Sequence, residues 1–321
     1  MRKRVILLAL LLTLAGSLAI PANGQLPSSH ILVSCFLDEV MTVIDARTIR
    51  VVNKISVPQI TDLAISPNNQ FMVASIFNKD YMPVFSVPSL RMGTTARGEH
   101  LKGIKAMDFS RDGARLYILN EEESMLHELH VPSFKIIRSL KLNYYKPSAM
   151  VLTKDKAKMY IVHPSMGIIS IVDLLQWENA GEINLKDTLG GIALTPDEKK
   201  MCVTFPDQRI MNIYDLATMN AVGTAPVENG PCQVKVNDKG VAVVLNSVSN
   251  TISIINVNKP LDRRLVQVGN GPRDVLMMPG GMGCYVANYT SGDVSVVDLN
   301  SVRQLGRLAV GQGACCLRWM N

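Results

Sequence analysis

Beyond its first twenty residues the sequence has no apolar run long enough to cross roughly 30 Å of hydrocarbon. It also lacks the 3.6-residue apolar period of amphipathic helices, which argues against a helical or α/β architecture. There is no Gly-x-Ser-x-Gly elbow, haem-attachment Cys-x-x-Cys-His, phosphate loop or His-Glu-x-x-His helix. No catalytic residue and no cofactor is therefore assigned from motifs. The 17 methionines include no Met-x-x-Met and no His/Met cluster that would suit copper. Six cysteines, Cys35, Cys202, Cys232, Cys284, Cys315 and Cys316, are irregularly spaced in 321 residues. That spacing fits neither a disulfide framework nor a zinc ribbon. A chain of this length buries a full core without staples.

The N-terminus reads as a leader. Arg2, Lys3 and Arg4 precede an uncharged stretch, Val5 to Ile20, rich in Leu, Ala, Val and Ile. Pro21 breaks it, and Ala22-Asn23-Gly24 places small residues where a signal peptidase reads. The expectation is a signal peptide over 1–24, cleaved before Gln25, and a periplasmic or secreted domain over 25–321. An uncleaved anchor is the alternative. No cysteine sits at the cleavage site, which argues against the bacterial lipoprotein route. Without the three leader cations, 30 basic residues face 27 acidic ones, a net +3. That balance gives little reason to expect nucleic acid or an anionic membrane as a partner.

The rest of the chain repeats itself. A strand ends in Asp or a polar stand-in at Asp45, Ser86, His130, Asp173, Asp215, Asn256 and Asp298, at steps of 41, 44, 43, 42, 41 and 42 residues. A second marker has a related spacing: Ser66-Pro67-Asn68, Ser110 to Gly113, Thr153-Lys154-Asp155, Thr195-Pro196-Asp197, Asn237 to Gly240 and Met278-Pro279-Gly280. Two independent markers with one period indicate a repeat array. Turn residues punctuate it at strand spacing, so each repeat holds four short strands. Radial packing of such sheets gives an all-β, seven-bladed β-propeller.

The clearest copy is Tyr285-Val286-Ala287-Asn288 followed by Gly292 to Asp298, a strand, a tight turn and a strand. Weaker copies are Tyr117-Ile118-Leu119-Asn120 and Tyr160-Ile161-Val162-His163. With Gly269-Asn270-Gly271-Pro272-Arg273-Asp274-Val275, these motifs resemble the YVTN-repeat β-propeller family over about residues 30 to 320. Innermost strands are expected near 61–65, 104–109, 147–152, 190–194, 231–236, 272–277 and 313–319. The chain begins with a second strand and ends with an innermost one. The last strand must therefore join the first three to close the ring.

In that closing blade Cys35 lies at the end of one strand, and Cys315 and Cys316 lie near the start of its neighbour. A disulfide from Cys35 to either would contribute about 4 kcal/mol on the chain-entropy model. The alternative is that all three are small buried core residues. Cys202 and Cys284 fall in non-adjacent blades and are not expected to pair.

Loops carry the candidate chemistry, because they must be solvated. Those between the fourth strand of one blade and the first of the next converge nearest the axis. Lys102, Lys146 and Arg273, with Tyr145 beside them, are candidates for a basic mouth binding an anion or carboxylate. An ordinary solvated rim is the competing reading. His100 and His163 reach the same region, but the sequence identifies no third metal ligand. His127 and His130, three apart on a strand, point to opposite faces. No metal site is expected. Asp45, Asp173, Asp215 and Asp298 recur at one blade position, which means turn capping. Asn288-Tyr289-Thr290 is a formal glycosylation sequon.

The family resemblance implies a non-enzymatic binding or scaffold protein, monomeric, using the loop face for a protein partner or a small anionic ligand. One alternative is a lactonase-like hydrolase, which needs carboxylates and a divalent cation at the mouth. Asp187 and Glu228 are the chief candidates. Another is an accessory to a periplasmic quinone-cofactor oxidation system.

Overall fold

The computed structural model describes residues 30–87 and 89–320. The expected leader and its cleavage point lie outside the described residues. Seven four-stranded antiparallel sheets are arranged in a ring. The first three strands are β1 (His30–Cys35), β2 (Val40–Asp45) and β3 (Arg50–Ser56). The second blade is β4 (Ile60–Ile65), β5 (Phe71–Ile76), β6 (Tyr81–Ser86) and β7 (Arg91–Arg97). The third is β8 (Ile104–Phe109), β9 (Arg115–Asn120), β10 (Met125–His130) and β11 (Lys135–Lys141). The fourth is β12 (Ala149–Leu152), β13 (Lys158–His163), β14 (Ile168–Asp173) and β15 (Glu178–Asn184). The fifth is β16 (Ile192–Leu194), β17 (Lys200–Phe205), β18 (Ile210–Asp215) and β19 (Ala221–Pro226). The sixth is β20 (Pro231–Val236), β21 (Val241–Asn246), β22 (Thr251–Asn256) and β23 (Lys259–Gln267). The seventh is β24 (Pro272–Met277), β25 (Gly283–Asn288), β26 (Asp293–Asp298) and β27 (Arg303–Ala309).

The last strand, β28 (Ala314–Met320), pairs antiparallel with β1, so the first blade reads β28-β1-β2-β3. The innermost strands β28, β4, β8, β12, β16, β20 and β24 each touch the next, and β24 touches β28 again. The ring is closed by ordinary strand pairing, as the repeat requires.

Seven hydrophobic clusters fill the seven gaps between adjacent blades. Alternation along each strand divides its side chains between two gaps. On β9, Leu116 and Ile118 face the second blade, whereas Tyr117 and Leu119 face the fourth. The second strand of each blade is buried on both sides, so it reads as a near-continuous apolar run. The outer β27 alternates exposed and half-buried residues.

Turn chemistry repeats as faithfully as burial. Asp45 accepts the backbone N–H groups of Arg47 and Thr48, and Asp215 those of Ala217 and Thr218. Asp173 and Asp298 do the same in their blades. Every turn between second and third strands holds one residue with a left-handed backbone. These are Glu39, Asn78, Ser124, Gly167, Arg209, Asn250 and Gly292. Two of the seven are glycines, which adopt that region at least cost. At Gly191 the requirement is space: a Cβ there would stand 2.6 Å from the Gln233 Cα of the neighbouring blade.

One cation spans the closure. Arg318 on β28 donates to Asp62 on β4 at 2.6 Å and to Asp274 on β24 at 3.1 Å. Both carboxylates are buried and also accept backbone N–H groups of the next inner strand, Asp62 from Met107 and Asp274 from Leu317. Burial pushes the Asp62 carboxyl up, against the pull of Arg318.

All six cysteines are free thiols. Cys35 faces the gap towards the seventh blade, while Cys315 and Cys316, next to the register shift in the β1–β28 pairing, both pack into the gap towards the second. The staple, one of the two readings of their shared blade end, is not formed in the structure: Cys35 packs into a different gap from Cys315 and Cys316.

Candidate functional site

The loops leading to each innermost strand lie over the turns between second and third strands of the same blade. In the third blade this contact is built by Asn120, the last residue of β9 and the fourth of its Tyr-Ile-Leu-Asn. Its amide donates to the backbone carbonyls of His100 at 3.0 Å and Lys102 at 2.8 Å, and its Oδ1 accepts the Glu123 N–H at 2.9 Å. One buried side chain thus fastens the short 3-10 turn Glu99–Leu101 onto the turn that carries Glu123.

This blade departs from the repeat one strand further on. The third residue of the third strand is Thr42, Ser170, Ser253 and Ser295 in the first, fourth, sixth and seventh blades. Those serines receive the buried end of the second strand: Asn246 donates to Ser253 at 3.0 Å, and Asn288 to Ser295 at 2.9 Å. In β10 the same position is His127. Its side chain is fully buried, and its Nδ1 lies 2.7 Å from the Ser139 hydroxyl on β11. Its Nε2 has no hydrogen-bond partner among the described residues and lies 3.6 Å from Glu123 Oε2. His100 approaches from the loop. Its Nδ1 lies 2.9 Å from the same Glu123 oxygen, and its ring stands 5.2 Å from that of His127. Burial holds the His127 pKa below the ordinary imidazole value, and the neighbouring His100 adds to the effect.

The remaining sequence candidates are dispersed. Lys102 is exposed and lines a shallow depression with Asn78, Lys79, Asp80 and Glu99. Tyr145, 71% exposed, and Lys146 lie in the connection between β11 and β12. Arg273, on β24, lays its guanidinium 5.2 Å from the centre of the Tyr289 ring. The three cations thus stand on three blades, and the depression beside Lys102 is lined by neither Lys146 nor Arg273.

His163 occupies the position of Asn120 in its own blade and works as a clamp. Its Nδ1 is 2.9 Å from the Tyr145 carbonyl oxygen, and its Nε2 is 2.9 Å from the Ser170 hydroxyl. Burial lowers its pKa, and neither nitrogen is left for a ligand. His130 points outward to Ser133, away from His127. Of the two mouth carboxylates, Glu228 pairs with Arg263 at 2.8 Å, and Asp187 accepts from the Gln208 amide. Asn288 of the sequon is fully buried, its amide nitrogen bonded to Asp293 and Ser295, so it presents no acceptor for a glycan.

Sequence reasoning therefore placed His100 on the loop face and missed its companions Glu123 and His127. The signal was present: a histidine standing where most of the other blades carry a small hydroxyl residue.

No family model and no curated protein matches this chain. Solved structures do. Hydrazine synthase from Kuenenia stuttgartiensis is 17% identical, with 84% of this chain and 92% of that chain covered and a TM-score of 0.73. Dihydro-heme d1 dehydrogenase NirN is 12% identical over 90% of this chain and 65% of that chain, with a TM-score of 0.66. A functionally unknown protein from Desulfotomaculum acetoxidans DSM 771 is 13% identical over 90% and 99%, with a TM-score of 0.76. The fold is a seven-bladed β-propeller. At these identities the likeness reaches the fold and goes no further.

Proposed function

We propose that this chain is an exported, monomeric binding propeller of the YVTN-repeat kind, which engages a protein partner or a small anionic ligand through its loop face. The observation that carries the reading is where the blades differ. Strands, turn caps and inter-blade clusters are nearly uniform, whereas the loop tips of the second to fourth blades are individual, exposed and polar or aromatic. Lys79, Asp80, Glu99, Lys102, Tyr145 and Lys146 illustrate this. An exposed Tyr on a rigid scaffold suits a protein partner, and the exposed Lys side chains suit an anion. The leader-like N-terminus supports a periplasmic or extracellular setting. The hydrolase alternative finds less support, since Glu228 is engaged by Arg263 and Asp187 by Gln208.

Quantitative co-purification from the exported fraction of the native host tests this reading. Wild-type protein is expected to enrich a component that the Lys102→Ala/Tyr145→Ala/Lys146→Ala variant loses. A variant at Lys199, in the turn between β16 and β17 on the opposite face, is expected to retain it. Equal profiles for all three would refute the loop face as the binding surface.

A further inference from the structure

We propose that His100, Glu123 and His127 bind a divalent transition-metal ion, with zinc as the reference cation. Their ligand atoms all lie within 4.8 Å of one another. Neighbouring donors on a tetrahedral zinc stand about 3.3 Å apart, given metal–ligand bonds of about 2.0 to 2.1 Å. The observed separations from Glu123 Oε2, 2.9 Å to His100 Nδ1 and 3.6 Å to His127 Nε2, bracket that spacing.

The decisive atom is His127 Nε2. It is buried, turned towards the other two donors and unpartnered among the described residues. A buried polar atom left without a partner is destabilising. Every other blade avoids this arrangement at the same position. The tautomer in which Nδ1–H donates to the Ser139 hydroxyl leaves Nε2 its lone pair, and that is the form a metal requires. Asn120 supplies the matching support for the other two ligands, holding the His100 carbonyl and the Glu123 N–H. Ser139 on one side and Asn120 on the other thus hold the three ligand residues before any ion arrives.

Two imidazoles and one carboxylate select the class of ion. The set suits zinc, iron(II), nickel or copper, whereas calcium and magnesium favour oxygen donors alone. His100 and Glu123 remain partly exposed, at 52% and 35% of their side chains, so solvent reaches the ion's remaining positions.

Untagged protein, stripped with a chelator, is titrated calorimetrically with zinc chloride. One zinc per chain is expected, with affinity reduced at least tenfold by His100→Ala and by His127→Ser. The second substitution installs the residue type found at this position in three other blades, and an unchanged circular dichroism spectrum will show that it folds. His100 is exposed, so its removal tests the site independently of the core. Wild type and both variants binding zinc with equal affinity would overturn the proposal. So would wild type giving no binding at roughly millimolar zinc. Magnesium binding as tightly as zinc would overturn the class of ion.

Discussion

Arg318 and Asp62 meet at 2.6 Å across the seam where the last strand of the chain joins the first blade to the second. The same guanidinium reaches Asp274 on the other side, so a single cation ties the closing strand to both neighbours. Removing it leaves two buried carboxylates facing each other without a counter-charge. Arg318→Ala is therefore expected to cost about 3 kcal/mol in urea unfolding at neutral pH, allowing for the partial exposure of the arginine. With the arginine gone, burial leaves the folded-state pKa of Asp62 above its unfolded value. The deficit should shrink as pH falls through that raised pKa and the Asp62 carboxyl becomes neutral. A deficit that is constant between neutral pH and pH 5 would contradict this account.

The turn aspartates carry the opposite sign. Backbone N–H groups and a neighbouring hydroxyl hold Asp45 and Asp215 below the ordinary carboxylate value, and Asp112, Asp155 and Asp197 are lowered in the same way by Ser or Thr hydroxyls. A depressed pKa contributes stability that is present above the unfolded value of about 3.9 and is lost as pH falls through the folded one. The melting temperature should accordingly drop progressively below about pH 4. Asn keeps the acceptor oxygen without the charge, so the Asp45→Asn/Asp215→Asn double variant should show a shallower decline. Identical pH profiles would remove the caps from the explanation.

Asn120 holds three backbone groups at once. Asn120→Ala should cost about 1 to 3 kcal/mol, because buried partners lose their bonds. Hydrogen exchange should quicken at residues 99–103 and 121–124 more than elsewhere. Uniform acceleration over the whole chain would mean that Asn120 serves the blade at large and does not hold these loops in particular.

Thiol counting tests the packing of the closing blade. Burial pushes Cys35 up to about 11 and both Cys202 and Cys284 up to about 12, so these thiols should resist alkylation in the native protein. Unfolding without a reductant should make all six available. Four alkylated cysteines would mean that a bridge had formed, despite Cys35 facing a different gap from Cys315 and Cys316.

The architecture was legible because each repeat states it again. The Asp-terminated strands, the Ser-Pro-Asp-like turns and the Tyr-Val-Ala-Asn copies mark the blade positions, and the expected inner strands fall within two residues of those observed. The loop face was legible only in part. Lys102 and Lys146 lie in the loops leading to β8 and β12, whereas Arg273 lies on β24, and similar places on different blades of a ring are separated in space. His163 looked like a loop residue, yet it ends a buried strand as the stand-in for an asparagine clamp. His127 and Glu123 were obscured because strand alternation was applied to the pair His127 and His130, whereas the real neighbours come from a turn and from a loop 27 residues away in sequence. Alternation predicts which face a side chain takes. It says nothing of which loop folds down onto that face.

Function is assigned to the places where blades depart from the repeat, and His100, Glu123 and His127 of the third blade are the departure with the most defined chemistry. The metal content of untagged protein purified from its native host, without added metal, tests it most directly. Elemental analysis should find about one transition-metal ion per chain in wild type and close to none in His127→Ser. Wild type free of such ions, or a ratio unchanged by the substitution, would contradict the account.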